Sequence, residues 1–291
     1  MTLEQLRLFV AVAEREHMTR AAAALHRTQS AVSAAIAGLE AQSGVTLFHR
    51  VGRRIVLTDE GRAFLVEARA VVAQADAAER ALADLAGMKR GLLSVMASQT
   101  IASYWLPPRL VAFRAVHPQV AVTASIGNTA EVAVAVAKGQ AEIGLVEGEV
   151  ADPMLEQTLV GHDRLVIVAA KDHPWTLKPP SPADLLKERW VLREKGSGTR
   201  SAFEAAIAEK GVEVAKLNIS LELPSNEAVR LAVREGAGVS ALSELVAEAG
   251  VRFGALAPVK FPLPVRAFHA LRHRERYLSK SGAAFLESVQ I

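Results

Sequence analysis

The 291-residue chain is 51% hydrophobic and 22% charged, ordinary for a soluble globular protein and long enough for two domains. It has no cysteine, which excludes disulfides, thiolate nucleophiles and cysteine-ligated metals. Its formal net charge is only +3, but residues 1–58 hold seven arginines against four glutamates, so the whole excess is present there and leans toward a nucleic-acid partner.

No uncharged run approaches the ~18–20 residues that span a bilayer. No basic start precedes an apolar run and a small-residue cleavage site. A cytoplasmic protein with no membrane partner is therefore expected.

From the N-terminus, Leu3, Leu6, Phe9, Val10 and Ala13 recur at helical spacing within Leu3–Glu16. Thr19 precedes the run Arg20-Ala-Ala-Ala-Ala-Leu25 as a helix cap would, and His26-Arg27 closes that short helix. Thr28 caps a third helix carrying Ala31, Val32, Ile36 and Leu39, which Gly44 ends where a left-handed residue is wanted. A longer helix followed by two helices around a tight connection reads as helix-turn-helix. Arg50-Val-Gly-Arg-Arg-Ile-Val-Leu-Thr58 reads as a two-stranded wing turning at Gly52.

From Asp59 to about Met88 the spacing predicts one long helix. Its stripe Phe64, Ala68, Val71, Ala75, Ala78, Leu82 and Leu85 steps by four and three, flanked by charges, which favours packing on a partner helix over lying on its own domain. Beyond Gly91 short apolar runs (Leu92–Ala97, Val120–Ile126, Ile143–Val146, Leu165–Ala169, Trp190–Leu192) alternate with helical stretches (Ile101–Val116, Ala130–Lys138, Ser181–Lys187, Ser201–Lys210, Asn226–Glu235). That alternation predicts an α/β domain with mostly parallel sheets. The chain is expected to cross between two subdomains near Gly161 and Arg266, with Ala267–Leu271 a strand returning toward the start.

The residues Leu3-Glu-Gln-Leu-Arg-Leu-Phe9, Thr19-Arg-Ala-Ala-Ala-Ala-Leu25, Thr28-Gln-Ser-Ala-Val-Ser33, Ile36-Ala-Gly-Leu-Glu40, Leu47-Phe-His-Arg50, Arg53-Arg54 and Leu57-Thr-Asp-Glu-Gly61 stand together in order. In these the chain resembles a LysR-type transcriptional regulator over essentially its whole length. The resemblance implies an α/β architecture with a winged helix-turn-helix over 1–58 and a linker or dimerisation helix over 59–90. It further implies an effector domain over 91–291 similar to type 2 periplasmic binding proteins, with subdomains 91–161 plus 267–291 and 162–266. It also implies a homodimer or homotetramer that binds double-stranded promoter DNA, with RNA polymerase as a further partner, and changes DNA bending when a small effector binds. Glu142-Ile-Gly-Leu-Val-Glu-Gly148 and Leu192-Arg-Glu-Lys-Gly-Ser-Gly-Thr-Arg200 resemble the branch controlling carbon-fixation and sulfur-assimilation genes. Small anions such as sulfite or phosphorylated metabolites are the effectors which that branch implies.

Physical chemistry assigns roles beside the resemblance. The start of a recognition helix presents short polar side chains to base edges in the major groove, here Gln29, Ser30 and Ser33, with Thr28 near the backbone. Arg50, Arg53 and Arg54 on the wing suit phosphates or the minor groove. Ala34, Ala35 and Ala37 stand where many relatives carry larger polar groups, so sequence discrimination leans on fewer side chains and on DNA shape.

In the second domain, Ser98-Gln99-Thr100 sits where a strand ends and a helix begins, a setting whose backbone N–H groups and hydroxyls suit an anion. Gly196-Ser197-Gly198-Thr199 is a second such turn, leading to Ser201 and Glu204 at capping-box spacing, and Arg193 just before it supplies positive charge. Asn128 and Thr129 follow another strand and line the same crevice. Glu147 either pairs with Arg193 or meets a protonated ligand, and Asn226 and Glu227 at a further helix start are additional lining residues.

An enzyme is not expected: the chain lacks a phosphate loop, a Gly-x-Gly-x-x-Gly turn and a nucleophile elbow, and nothing near Glu142, Glu147 and Glu149 serves as an activated nucleophile. His269 and His273 would share a metal on a helix, but along a strand four residues span about 13 Å, so no metal site and no cofactor is expected. The alternative reading is a solute-binding or sensor protein using the α/β domain without promoter regulation.

Overall fold

The computed structural model describes residues 1–51, 54–85 and 91–290. They form two compact units, Met1–Leu85 with Lys138–Gln140 and Ala86–Ala137 with Ala141–Ile291. Among the described residues no helix is long and apolar enough to cross a membrane.

In the first unit, Thr2 and Gln5 form a capping box at the start of α1 (Leu3–Arg15), which buries Leu6, Phe9 and Val12. Helix α2 (Met18–Ala24) starts earlier than the spacing predicts. His17, not Thr19, is its cap, its Nδ1 accepting from the Arg20 N–H, and half-buried Met18 packs on the core from inside the first turn. Helix α3 (Gln29–Ser43) is capped as expected by Thr28 and ends at Gly44, whose φ of 69° is left-handed. Strands β1 (Phe48–Val51) and β2 (Arg54–Leu57) pair antiparallel as the wing, while the turn read at Gly52 and Arg53 lies outside the described residues. Phe9 centres this core, its ring 5.4 Å from that of Phe48 and 4.9 Å from that of Phe64.

Helix α4 runs Asp59–Leu85, and the end read near Met88 lies outside the described residues. The stripe read as a partner-facing seam divides. Phe64 and Ala68 join the core of their own unit, whereas Val71, Leu82 and Leu85 are exposed. The N-terminal half therefore lies on its own domain, held to α1 by Arg7 with Asp76 (2.6 Å) and by Arg69 with Glu14 (3.0 Å).

The second unit is not mostly parallel but mixed. Strands β3 (Leu92–Ser98), β4 (Ala121–Gly127) and β5 (Ile143–Glu147) are parallel to one another. Two long strands, β6 (Leu155–Ala169) and β11 (Val265–His273), run antiparallel to each other and carry the sheet through both lobes in the order β10-β6-β11-β5-β3-β4. Strands β9 (Ser240–Ser243) and β10 (Ala257–Val259) also pair antiparallel with β6. In the second lobe β7 (Arg189–Arg193) and β8 (Asn218–Leu223) repeat the parallel motif. The apolar run begins only at Leu165, because Glu156, Gln157, Thr158, His162, Asp163 and Arg164 interrupt the first part of β6 with polar groups.

Two cores result. Leu93, Ile143, Leu145, Val160, Phe268 and Phe285 fill the first lobe, and Leu165, Ile167, Trp190, Leu192 and Phe203 fill the second. The chain passes from one to the other along β6 and back along β11. The helices are α5 (Leu106–Val116), preceded by one π-helical turn at Ile101–Trp105, and α6 (Thr129–Ala137), α7 (Gly198–Ala208), α8 (Asn226–Arg234), α9 (Glu244–Arg252) and α10 (Lys280–Val289). The stretch read as a helix over Ser181–Lys187 is a 3₁₀ turn, Pro182–Leu186.

Candidate DNA-contact surface and effector cleft

On the first unit, burial of Val32, Ile36 and Leu39 turns the opposite face of α3 to solvent. Thr28, Gln29 and Ser30 are exposed there and Ser33 is half-buried one turn on. Thr28 Oγ1 accepts from the Ala31 N–H at 3.2 Å and lies 3.1 Å from Ser30 Oγ, so both hydroxyls are engaged locally, while the Gln29 amide makes no hydrogen bond to a described residue. Arg50 is exposed on β1 opposite Ile55 and makes no ion pair with a described residue. Arg53 lies outside the described residues, and Arg54 opens β2. Other arginines of this unit are committed: Arg27 to Glu4, and Arg7 to Asp76 and Glu79. Neutralised pairs contribute little to a phosphate field, which leaves Arg50 as an available cation.

In the second unit, strand ends and helix starts of the two lobes meet. The first lobe brings Ser98, Gln99 and Thr100 after β3, Asn128 and Thr129 at α6, and Glu147 ending β5. The second brings Arg193 ending β7, Ser197, Gly198 and Thr199 at α7, and Asn226 at α8. The α7 helix begins at Gly198 with Ser197 as its cap, so the expected Ser201–Glu204 box does not form; Glu204 instead takes Arg200 at 2.7 Å. Gly198 is required by proximity, since a Cβ there would stand 2.5 Å from Thr129 Oγ1 and 2.9 Å from the Glu147 carbonyl oxygen.

The side chains bridge the cleft. Gln99 Oε1 accepts the Asn226 N–H at 2.7 Å, its Nε2 donates to Glu227 at 3.0 Å, and Asn226 Nδ2 donates to Thr100 Oγ1 at 3.1 Å. Gln99 is thus a helix cap across the cleft and not simply a free lining group. Tyr104 also donates to Glu227, and burial followed by that bond holds its phenol above the usual value.

Arg193 is buried, and Glu147 is not its partner. Its Nε and Nη2 donate to the two oxygens of the adjacent Glu194, both at 2.8 Å, and its Nη1 donates to Asn226 Oδ1 at 2.7 Å. Burial pushes the Glu194 carboxyl up, but the Arg193 bonds, aided by a weak one from Asn128, outweigh it and hold it below the usual value. Glu147 instead accepts from Thr129 Oγ1 at 3.2 Å and stands 3.9 Å from the Arg266 guanidinium. Arg266 chelates buried Asp163 at 2.6 and 2.8 Å and donates to Thr199 Oγ1 at 3.1 Å. Ser98 Oγ, at the end of β3 in a residue only 2% exposed, has no hydrogen-bond partner among the described residues.

Sequence reasoning missed Asp163, Arg200, Glu194 and the cleft role of Arg266. A charged residue inside or just after an apolar strand, as at Arg266 and Arg193–Glu194, is a signal for buried pairing that could have found Arg266 and Glu194. His269, whose Nδ1 lies 2.7 Å from the Gly148 carbonyl oxygen, and His273 stand on β11, too far apart for one ion.

A winged helix-turn-helix and a two-lobed α/β domain in one chain define the class of DNA-binding regulators that carry their own ligand sensor. The comparisons narrow the class. The family of bacterial regulatory helix-turn-helix proteins, lysR family, matches residues 3–62, and the LysR substrate binding domain matches residues 86–290. The chain belongs to the LysR family of transcriptional regulators. It is 35% identical to YeiE, an uncharacterized HTH-type transcriptional regulator of Escherichia coli K12, covering 99% of this chain and 96% of that one. It is 32% identical to a probable RuBisCO transcriptional regulator of Guillardia theta, covering 99% and 95%. Among solved structures, full-length CbnR complexed with its target DNA superposes with a TM-score of 0.71 at 24% identity, covering 99% of both chains. The regulatory domain of Synechocystis CcmR, in complex with 2-PG, gives 0.63 at 26% identity, covering 69% of this chain and 96% of that one.

Proposed function

We propose that this LysR-family regulator reads promoter DNA with Thr28, Gln29, Ser30 and Ser33 and with the wing arginines Arg50, Arg53 and Arg54. It senses a small anion in the cleft between lobes 91–161 plus 267–291 and 162–266. The observation that carries the anion reading is the buried Arg193 guanidinium, beside the start of α7, where the Ser197 side chain makes no cap hydrogen bond, with the Ser98 hydroxyl unsatisfied among the described residues. Ser98, Gln99, Thr100, Asn128, Thr129, Glu147, Arg193, Ser197, Gly198 and Thr199 form the walls of that cleft. The CcmR complex with 2-PG and the likeness to RuBisCO regulators support a small phosphorylated or anionic effector.

The protein acts in the cytoplasm as a homodimer or homotetramer and has no catalytic activity of its own. Exposed Val71, Leu82 and Leu85 on α4 support pairing with a second copy. The test is thermal unfolding against sulfite, sulfate, thiosulfate, phosphoglycolate and phosphoenolpyruvate. A ligand at ~100 times its Kd stabilises by ~2.7 kcal/mol. A shift in the wild type that is lost in Arg193→Ala, with promoter binding retained, is the expected result. A ligand-induced shift that survives Arg193→Ala removes Arg193 from the site.

A further inference from the structure

Arg193 and Glu194 are neighbours in the chain and face each other across two parallel hydrogen bonds of 2.8 Å. That is the bidentate geometry in which a guanidinium receives a carboxylate ligand, here supplied from within. Arg193 is 5% exposed and Glu194 24%, so the cation is enclosed and its partner stands nearer the solvent. Asn128 from the opposite lobe donates to the same carboxylate at 3.4 Å. On the first lobe, at the end of β3, the buried Ser98 hydroxyl has no partner among the described residues.

We propose that Glu194 is an internal competitor that sets the threshold for binding: its carboxylate fills the anion seat on Arg193 in the ligand-free protein, and effectors bind by displacing it. The displacement weakens the binding of every anion by the same factor, so doubly charged oxyanions, with their further contacts, still bind while monocarboxylates fall to weak affinity. This inference rests on the anion-cleft reading above.

The threshold follows from the exchange. An incoming monocarboxylate offers Arg193 the same two oxygens and the same single charge as Glu194. Glu194 is already tethered beside the guanidinium, whereas the newcomer must give up its translational freedom. A like-for-like exchange is therefore unfavourable. A tetrahedral dianion brings a second charge and further acceptors, which the Ser98 hydroxyl and the first-turn N–H groups of α7 can meet. Glu194, once released, lies close to water and keeps its charge there. Removal of its charge would leave Arg193 open to any small anion.

The test uses the full-length protein with sulfate and acetate as probes, at constant ionic strength and pH 7.5, by isothermal titration. The wild type is expected to bind sulfate at least ten-fold more tightly than acetate. In Glu194→Gln both probes should tighten by about ten-fold or more, as expected when a charge-assisted competitor is removed, acetate thereby becoming measurable while sulfate stays the tighter of the two. Unchanged affinity for both probes in Glu194→Gln, equal affinities in the wild type, or loss of sulfate binding in Glu194→Gln each overturns the proposal while leaving the cleft standing. Equal sulfate binding by the wild type and Arg193→Ala overturns the cleft reading itself, as does no binding of either probe to wild type and Glu194→Gln. Arg193→Lys, which keeps the charge but not the fork, stands in if Arg193→Ala does not fold, and should lose most of the sulfate affinity.

Discussion

Adding one methyl at Gly198 tests how closely the two lobes meet. The new Cβ would lie 2.5 Å from Thr129 Oγ1, 2.9 Å from the Glu147 carbonyl oxygen and 3.0 Å from Glu147 Oε2. The threonine hydroxyl can turn away, but the main-chain oxygen of β5 cannot. Gly198 is the first residue of α7 without a positive φ, so Ala costs nothing in backbone conformation and by propensity alone would gain about 0.5–1 kcal/mol. Forcing a methyl into a filled space costs about 1–3 kcal/mol. The net expectation for Gly198→Ala is a loss of about 1–2 kcal/mol, a Tm lower by roughly 2–8 °C for a domain of this size. Differential scanning calorimetry measures it. Thr129→Ala in the same background removes the 2.5 Å contact but not the 2.9 Å one, so rescue should be partial. A Tm in Gly198→Ala equal to or above the wild type would refute the reasoning, because the lobes could not then stand this close.

Three further outcomes are expected. Asp163→Ala strands the buried Arg266 guanidinium and deprives Ser243 of its acceptor, and should cost about 3–5 kcal/mol in urea unfolding, most of it recovered by the double substitution Asp163→Leu with Arg266→Met. Arg50→Ala should weaken binding to every DNA sequence alike and reduce the slope of log K against log salt by about 1, measured by fluorescence anisotropy; an unchanged slope counts against a phosphate contact. Asp184 is held down to about 2, first by the Ser181 hydroxyl, then by the Ser181 N–H and by Lys187. Because this carboxyl is depressed in the folded protein, its stabilising contribution is present above its ordinary value near 3.8 and is lost as pH falls through about 2. Carboxyl NMR should show that midpoint, and Asp184→Asn should abolish the dependence.

The sequence by itself determined the first unit almost entirely. Its three helices, the Thr28 and Gly44 caps and the wing rest on local causes: apolar residues at three- and four-residue steps, a hydroxyl where the first N–H groups need an acceptor, a glycine where φ turns positive. Even there Thr19 misled, since either Thr19 or His17 can cap, and the packing of Met18 decides between them. In the second unit the residue types at the cleft were legible because strand ends and helix starts carry recognisable polar turns. Which of those residues pair was not. Arg193 and Glu194 are sequence neighbours, but a pairing of Arg193 with Glu147 looked as plausible until β5 and β7 were brought to opposite walls. Asp163, Arg266 and Thr199 come from strands and a helix far apart in the chain, and only the long antiparallel strands β6 and β11 set them together. Periodicity records which face of an element is buried. It carries no information about which distant element covers that face, so the sheet order, the lobe contacts and the charge partners were decided by tertiary structure alone.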